Sequence, residues 1–253
     1  MPFIMAAGRR LETRWIEPRD EGRPTLVFLH EGLGSIGLWR DFPDKVAAAS
    51  RCGALVYSRH GYGRSERLER PRGPGYLHDE ALRSLPDVLD AFSIADPVLI
   101  GHSDGASIAL ILAGSGVRRL RGAVVMAPHV FVEDITIAGI EDAKAAYRDT
   151  DLSKRLGRYH DDADATFRGW NDAWLDPSFR SWNIENLLPG IRCPLLAIQG
   201  LEDEYATLAQ IDAIERQTGG SFERLDLPDC RHIPHRDQPE RTLDAIARFI
   251  DRV

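Results

Sequence analysis

Hydrophobic positions along the chain fall into short uninterrupted runs, separated by longer segments with helical spacing. Thr25 to His30 (TLVFLH), Ala54 to Ser58 (ALVYS), Val98 to Gly101 (VLIG), Gly122 to Ala127 (GAVVMA) and Pro194 to Gly200 (PLLAIQG) have almost no polar alternation. Runs of this kind predict strands covered on both faces. Phe222 to Leu227 (FERLDL) predicts a further strand, and Pro2 to Ala6 with Leu11 to Ile16, flanking Ala7-Gly8-Arg9-Arg10, predicts an opening β-hairpin. Helices are predicted over Ser35 to Ser50, interrupted near Pro43; over Leu77 to Phe92, kinked at Pro86; over about Thr207 to Gln217; and at the end of the chain up to Val253. Strand and helix therefore alternate, which predicts an α/β chain with a mainly parallel twisted sheet and helices on both faces. In such sheets reactive groups collect at the carboxyl ends of the strands. The Gly-rich loops EGLGS and RHGYGRS follow the first two buried runs.

From His129 to about Pro189 the pattern changes. Buried runs vanish, and EDAKAAYRDT, DADATFRGWNDAWL and RSWNIENLL read as acidic, Trp-bearing helical segments. The expected organisation is a core of residues 1–128 and 190–253 with a helical cap inserted at 129–189. Trp170 and Trp174 are four apart and share one helix face. One reading has this stripe pack the insertion onto the core and another has it line a pocket beneath a lid; the two are compatible.

Chemistry concentrates at Val98 to Ala113 (VLIGHSDGASIALILA), which reads as strand, sharp turn, helix with Ser103 on the turn. Gly101 and Gly105 lack a Cβ, so the turn can be tight and the helix can begin against the strand. A serine hydroxyl is a poor nucleophile at neutral pH and needs a base, and the base needs a group to hold its tautomer. Two later loops that follow strands supply candidates, Gly200-Leu201-Glu202-Asp203 and the segment containing His232.

Composition narrows the partners. The formal net charge of -7 and the pI near 5.6 argue against nucleic acid or an anionic membrane, both of which select clustered Lys and Arg. Cys52, Cys193 and Cys230 are odd in number and unpaired in spacing, which predicts free thiols in a reducing compartment. No apolar run approaches the roughly 18 residues of a membrane span, and the first residues lack a signal-peptide pattern. A cytoplasmic location is the expectation. The eight histidines show neither H-E-x-x-H nor Cys/His ligand spacing, so no metal site is expected.

Five motifs in order carry a family resemblance: H-x-G-x-G-S at His30 to Ser35, H-G-Y-G-R-S at His60 to Ser65, G-H-S-D-G around Ser103, G-x-x-D at Asp203, and H-x-x-H-x-x-x-P-E at His232 to Glu240. Over essentially its whole length the sequence resembles the α/β-hydrolase superfamily, in its capped, esterase-like branch. The resemblance implies the α/β-hydrolase fold with an inserted helical cap. It also implies Ser103 as nucleophile, His232 as general base and then acid, and Asp203 as orienting carboxylate. The oxyanion hole it implies is formed by the backbone amides of Gly32 and Asp104, with no cofactor. Two residues depart from the common pattern: Glu31 stands where relatives usually carry Gly, and Asp104 where Met, Gln or Leu is usual. A carboxylate facing an oxyanion would raise the barrier, so each side chain must be paired or aimed elsewhere. Asp104 suits the first turn of a helix, and Arg59 or His60 is the expected partner of Glu31.

Glu202 and Glu204 flank Asp203, and the family spacing favours Asp203. His235 is the rival of His232 and is expected to pack or hydrogen-bond at the start of the last helix, while His102 is expected to turn away from the reacting face. The implied activity is hydrolysis of a small-molecule carboxylic ester through an acyl-enzyme, rising with pH through a His232 titration near roughly 6.5. The same triad is compatible with carbon-carbon bond hydrolysis, lactone opening or cofactor-free perhydrolysis. A ligand receptor built on the hydrolase fold is the alternative from another class. Oligomeric state is not legible in the sequence.

Overall fold

In the computed structural model, which describes residues 3–253, the apolar runs form the sheet they predict. β1 (Phe3–Ala6) and β2 (Arg9–Ile16) make the antiparallel opening hairpin, with Phe3 opposite Glu12 and Ala6 opposite Arg9. Pro2, part of the predicted hairpin, lies outside the described residues. β3 (Leu26–Leu29), β4 (Ala54–Tyr57), β5 (Val98–His102), β6 (Gly122–Met126), β7 (Leu195–Gly200) and β8 (Phe222–Leu227) are parallel to one another. The sheet runs β1-β2-β4-β3-β5-β6-β7-β8, with β2 antiparallel to β4.

The helices are α1 (Phe42–Ser50), α2 (Tyr76–Asp79), α3 (Leu85–Ala91), α4 (Asp104–Ser115), α5 (Asp134–Asp149), α6 (Leu152–Leu156), α7 (Ala163–Leu175), α8 (Ala209–Gln217), α9 (Pro234–Asp237) and α10 (Pro239–Ile250). Successive side chains of a strand point to opposite faces, so the sheet feeds two cores. Val27, Leu29, Leu99 and Val125 pack with apolar residues of α3, α4 and α8 on one side. Leu26, Phe28, Ile100 and Val124 pack with α1 and α10 on the other. Burying each such side chain stabilises the fold by about 1.5–3 kcal/mol. The continuous apolar runs are the sequence signature of this double coverage.

Three elements depart from the expectation. The break in the Ser35 to Ser50 helix falls at Arg40, in the left-handed region at φ 53, between a 3-10 turn at Ile36–Trp39 and α1. Pro43 then sits in the first turn of α1, where its missing N–H is no loss. The expected kink at Pro86 is absorbed one turn earlier by a π turn at Glu80–Ser84, which contains the Leu82 carbonyl that Pro86 cannot serve. RSWNIENLL, read as helical, forms parts of two 3-10 turns, Pro177–Ser181 and Glu185–Gly190. Asn183 Oδ1 accepts from Glu185 N at 2.7 Å, a local bond that competes with helix, and Asn183 bridges back to Phe131 near the other end of the insertion. Among the described residues no helix is long and apolar enough to cross a membrane.

Candidate active site

β5 passes directly into α4 through Ser103, whose backbone is held at φ 52, ψ -118. A non-glycine residue in such a region costs about 1–3 kcal/mol and persists only where its surroundings enforce it. Here they do: Ser103 N donates to Met126 O at 2.9 Å, and Ser103 O accepts from Ala106 N and Ser107 N at 2.8 and 3.0 Å. The turn closes because two side chains are missing. A Cβ on Gly101 would lie 2.3 Å from Gly105 O, and one on Gly105 would lie 1.9 Å from Leu29 O.

The loops after β7 and β8 bring two more groups to the same end of the sheet. His232 Nε2 lies 3.0 Å from Ser103 Oγ, and His232 Nδ1 lies 2.9 Å from both oxygens of Asp203. With the Nδ1 proton donated to Asp203, the Nε2 lone pair faces the serine hydroxyl. Asp203 is held in turn by Gln199 Nε2 at 2.7 Å and by the Tyr205 and Ala206 amides at 2.7 and 3.3 Å. Burial works against its ionised form, but the His232 ring and the Tyr205 amide outweigh it and bring its pKa to about 2. For His232 burial disfavours the imidazolium. The Asp203 carboxylate, with Glu204 and Glu31 behind it, prevails, so the pKa lies above the ordinary histidine value.

The rival residues have other partners. Glu202 Oε2 accepts from Cys230 N at 2.8 Å, and Glu204 accepts from His232 N at 3.2 Å while pairing with Arg231 at 3.3 Å. His235 packs against Trp39 and Phe42 with ring centroids 4.9 and 5.0 Å apart, and burial pushes its pKa down to about 3. His102 turns away from Ser103 and sets Nε2 2.7 Å from the backbone oxygen of His232. His129, which the sequence marks only as the start of the insertion, is also buried with its ring 6.0 Å from that of His232, and burial takes its pKa to about 3.

The arginine expected to pair with Glu31 lies beside Asp104 instead. Glu31 does not pair through its side chain with Arg59 or His60: its carboxylate folds back over Gly34 and faces His102 Nδ1 at 3.6 Å, while Arg59 takes only the Glu31 backbone oxygen at 3.0 Å. The Arg59 guanidinium instead approaches Asp104 Oδ2 at 3.6 Å, both groups being fully buried. Asp104 also accepts from Tyr76 Oη at 2.7 Å and from Trp174 Nε1 at 3.2 Å. Tyr76 and Trp174 lie 28 and 70 positions away in the chain, and no spacing signals them.

Ser103, His232, Gly32 and Asp104 border one cavity of about 210 Å³, whose walls include Trp170, Trp174 and Tyr205. A larger recess of about 730 Å³, beside Trp39 and His235, is lined in part by His232 and not by Ser103. Trp170 and Trp174 are buried, and both also line the small cavity.

A serine, a histidine and an aspartate on three loops that follow strands of a doubly covered parallel sheet can perform acyl transfer. The chain is similar to the (lyso)-N-acylphosphatidylethanolamine lipase of Mus musculus, 28% identical over 122 residues, which is 48% of this chain and 35% of the lipase. It is 25% identical over 193 residues to the serine hydrolase BPHL of Homo sapiens, 72% of this chain and 63% of that protein. The chain thus spans less than two thirds of the length of either relative. Its fold superposes on MGS-M2, an alpha/beta hydrolase enzyme from a Medee basin deep-sea metagenome library, with a TM-score of 0.79 at 18% identity, covering 98% of this chain and 97% of that one. The model of the alpha/beta hydrolase family matches residues 26–245, and the chain belongs to that family.

Proposed function

We propose that this protein is a serine hydrolase that cleaves small carboxylic esters through an acyl-enzyme, with residues 129–189 as its cap. The observation that carries this reading is the continuous hydrogen-bonded series from Ser103 Oγ through His232 to Asp203. Ser103 Oγ attacks the ester carbonyl as His232 Nε2 takes its proton. The tetrahedral oxyanion is held by the amides of Gly32 and Asp104, and His232 returns the proton to the departing alcohol. Water, deprotonated by His232, then attacks the acyl-enzyme and releases the acid with Ser103 restored. Asp203 holds the ring and stabilises the imidazolium that forms. Kinship with a lipase and a serine hydrolase supports the reaction class, and the small aromatic-walled cavity supports short acyl groups.

The test is a steady-state series on p-nitrophenyl esters of increasing acyl length, run beside Ser103→Ala. Turnover that depends on Ser103 and peaks at short acyl chains is expected. A folded wild type with no ester turnover would move the assignment to a carbon-carbon hydrolase, a lactonase or a ligand receptor.

A further inference from the structure

Trp170 and Trp174, one helical turn apart on α7, each meet one of the two residues assigned to the oxyanion hole. The pyrrole edge of Trp170 lies so close over Gly32 that a Cβ there would sit 2.1 Å from Nε1, so the loop after β3 cannot move toward α7. Trp174 Nε1 is shared between Tyr76 Oη at 2.9 Å and Asp104 Oδ1 at 3.2 Å. Asp104 is the first residue of α4, and its fully buried carboxylate accepts from Tyr76 and Trp174 and faces the Arg59 guanidinium at 3.6 Å.

A buried carboxylate paired with a buried guanidinium is a poor way to add stability, because an apolar residue of similar volume would avoid the desolvation cost. It is a good way to fix direction. With its carboxylate tied on three sides, Asp104 has little freedom to rock about its backbone, and its N–H is aimed before any charge develops. Oxyanion donors are effective only when aimed in advance. We propose that Trp174, through Asp104, is a positioning residue for the oxyanion hole and that Trp170 does the same for Gly32. Seating the helical insertion and aiming both amides are then a single event. This rests on the serine-hydrolase reading.

Trp174→Phe keeps a ring and removes the N–H, and Tyr76→Phe removes the other neutral donor with almost no change in volume, which keeps the test alive should the first variant fold poorly. For each, kcat and KM on p-nitrophenyl acetate are measured beside the calorimetric Kd of phenylboronic acid, whose boron accepts the Ser103 oxygen while His232 takes the proton. Loss of a whole oxyanion donor costs about 10²–10³ in kcat; misaiming one is expected to lower kcat about tenfold and weaken the boronate by a similar factor, with KM within twofold. A rise in KM alone, with kcat and boronate affinity unchanged, would reduce the tryptophans to pocket walls and overturn the proposal. Wild-type protein that neither turns over the ester nor binds the boronate would overturn the hydrolase reading itself, and that result is read before either variant is made.

Discussion

His102, the residue before Ser103, lies with Nε2 2.7 Å from the backbone oxygen of His232, so the strand that presents the serine also holds the loop that presents the histidine. The acceptor is a main-chain atom, and the bond fixes the distance between the two loops without altering the charge on the His232 ring.

His102→Ala therefore leaves a buried carbonyl unpaired, which costs about 1–3 kcal/mol. Its urea midpoint should fall accordingly and its kcat/KM should drop, while the midpoint of its pH-rate profile stays where the wild type has it. A shifted midpoint would mean that His102 tunes the base electrostatically rather than placing it.

The pH dependence follows from the sign of the His232 shift. The base is the neutral imidazole, and Asp203 keeps the ring protonated to higher pH than an ordinary histidine. Wild-type kcat/KM should rise with pH and reach half its maximum above roughly 6.5. Asp203→Asn removes the chief influence raising the His232 pKa, so the midpoint should move down while the rate falls by about 10⁴. Rates on a single ester from pH 5 to 9 decide it, and a wild-type midpoint at or below the ordinary histidine value would contradict the assignment.

Ser103 also carries strain that is measurable apart from its chemistry. Ser103→Ala and Ser103→Gly lose the same hydroxyl, and both should lose nearly all ester turnover, but only glycine is at ease at φ 52. The glycine variant should be more stable than the alanine variant by about 1 kcal/mol, within the range expected for a strained residue. Equal melting temperatures would place the strain elsewhere.

Much of this site was legible because its signals are local. The apolar runs fixed which segments are strands, Gly101 and Gly105 marked the tight turn, and the chain order of Ser103, Asp203 and His232 followed the family pattern. What escaped was decided by contacts between distant segments. Nothing near Asp104 announces that Arg59, Tyr76 and Trp174 converge on it, and nothing near Glu31 announces His102. The 3-10 turns at 177–190 escaped for a nearer reason: Asn183 spends its side chain on the Glu185 amide, an alternative that residue spacing does not reveal. The upward shift of His232 arises from how closely two loops approach.

Arg59 gives a fourth test. Its guanidinium is fully buried beside Asp104, and Arg59→Met leaves that carboxylate with neutral donors only. Breaking a buried ion pair from one side costs about 3–5 kcal/mol. Chemical denaturation should show a loss of that size, and pairing Arg59→Met with Asp104→Leu should recover part of the stability but not the esterase rate. Full recovery of the rate would show that Asp104 contributes packing alone.

The helical insertion leaves the sheet after β6 and returns at β7, its immediate neighbour, while Ser103, Asp203 and His232 all lie outside it. The chain is thus divided into an engine, the sheet that carries the reacting groups, and a hood, the insertion that helps wall the cavity beside them. A change of hood would reshape the cavity while Ser103, Asp203 and His232 stayed on the sheet's own loops. That hood is gripped at several points, by α7 on Gly32 and Asp104, by His160 on the Leu33 oxygen and the Gly63 amide, and by Thr136 on the Tyr205 oxygen, and any replacement segment would have to reinvent those grips before it could inherit the chemistry beneath.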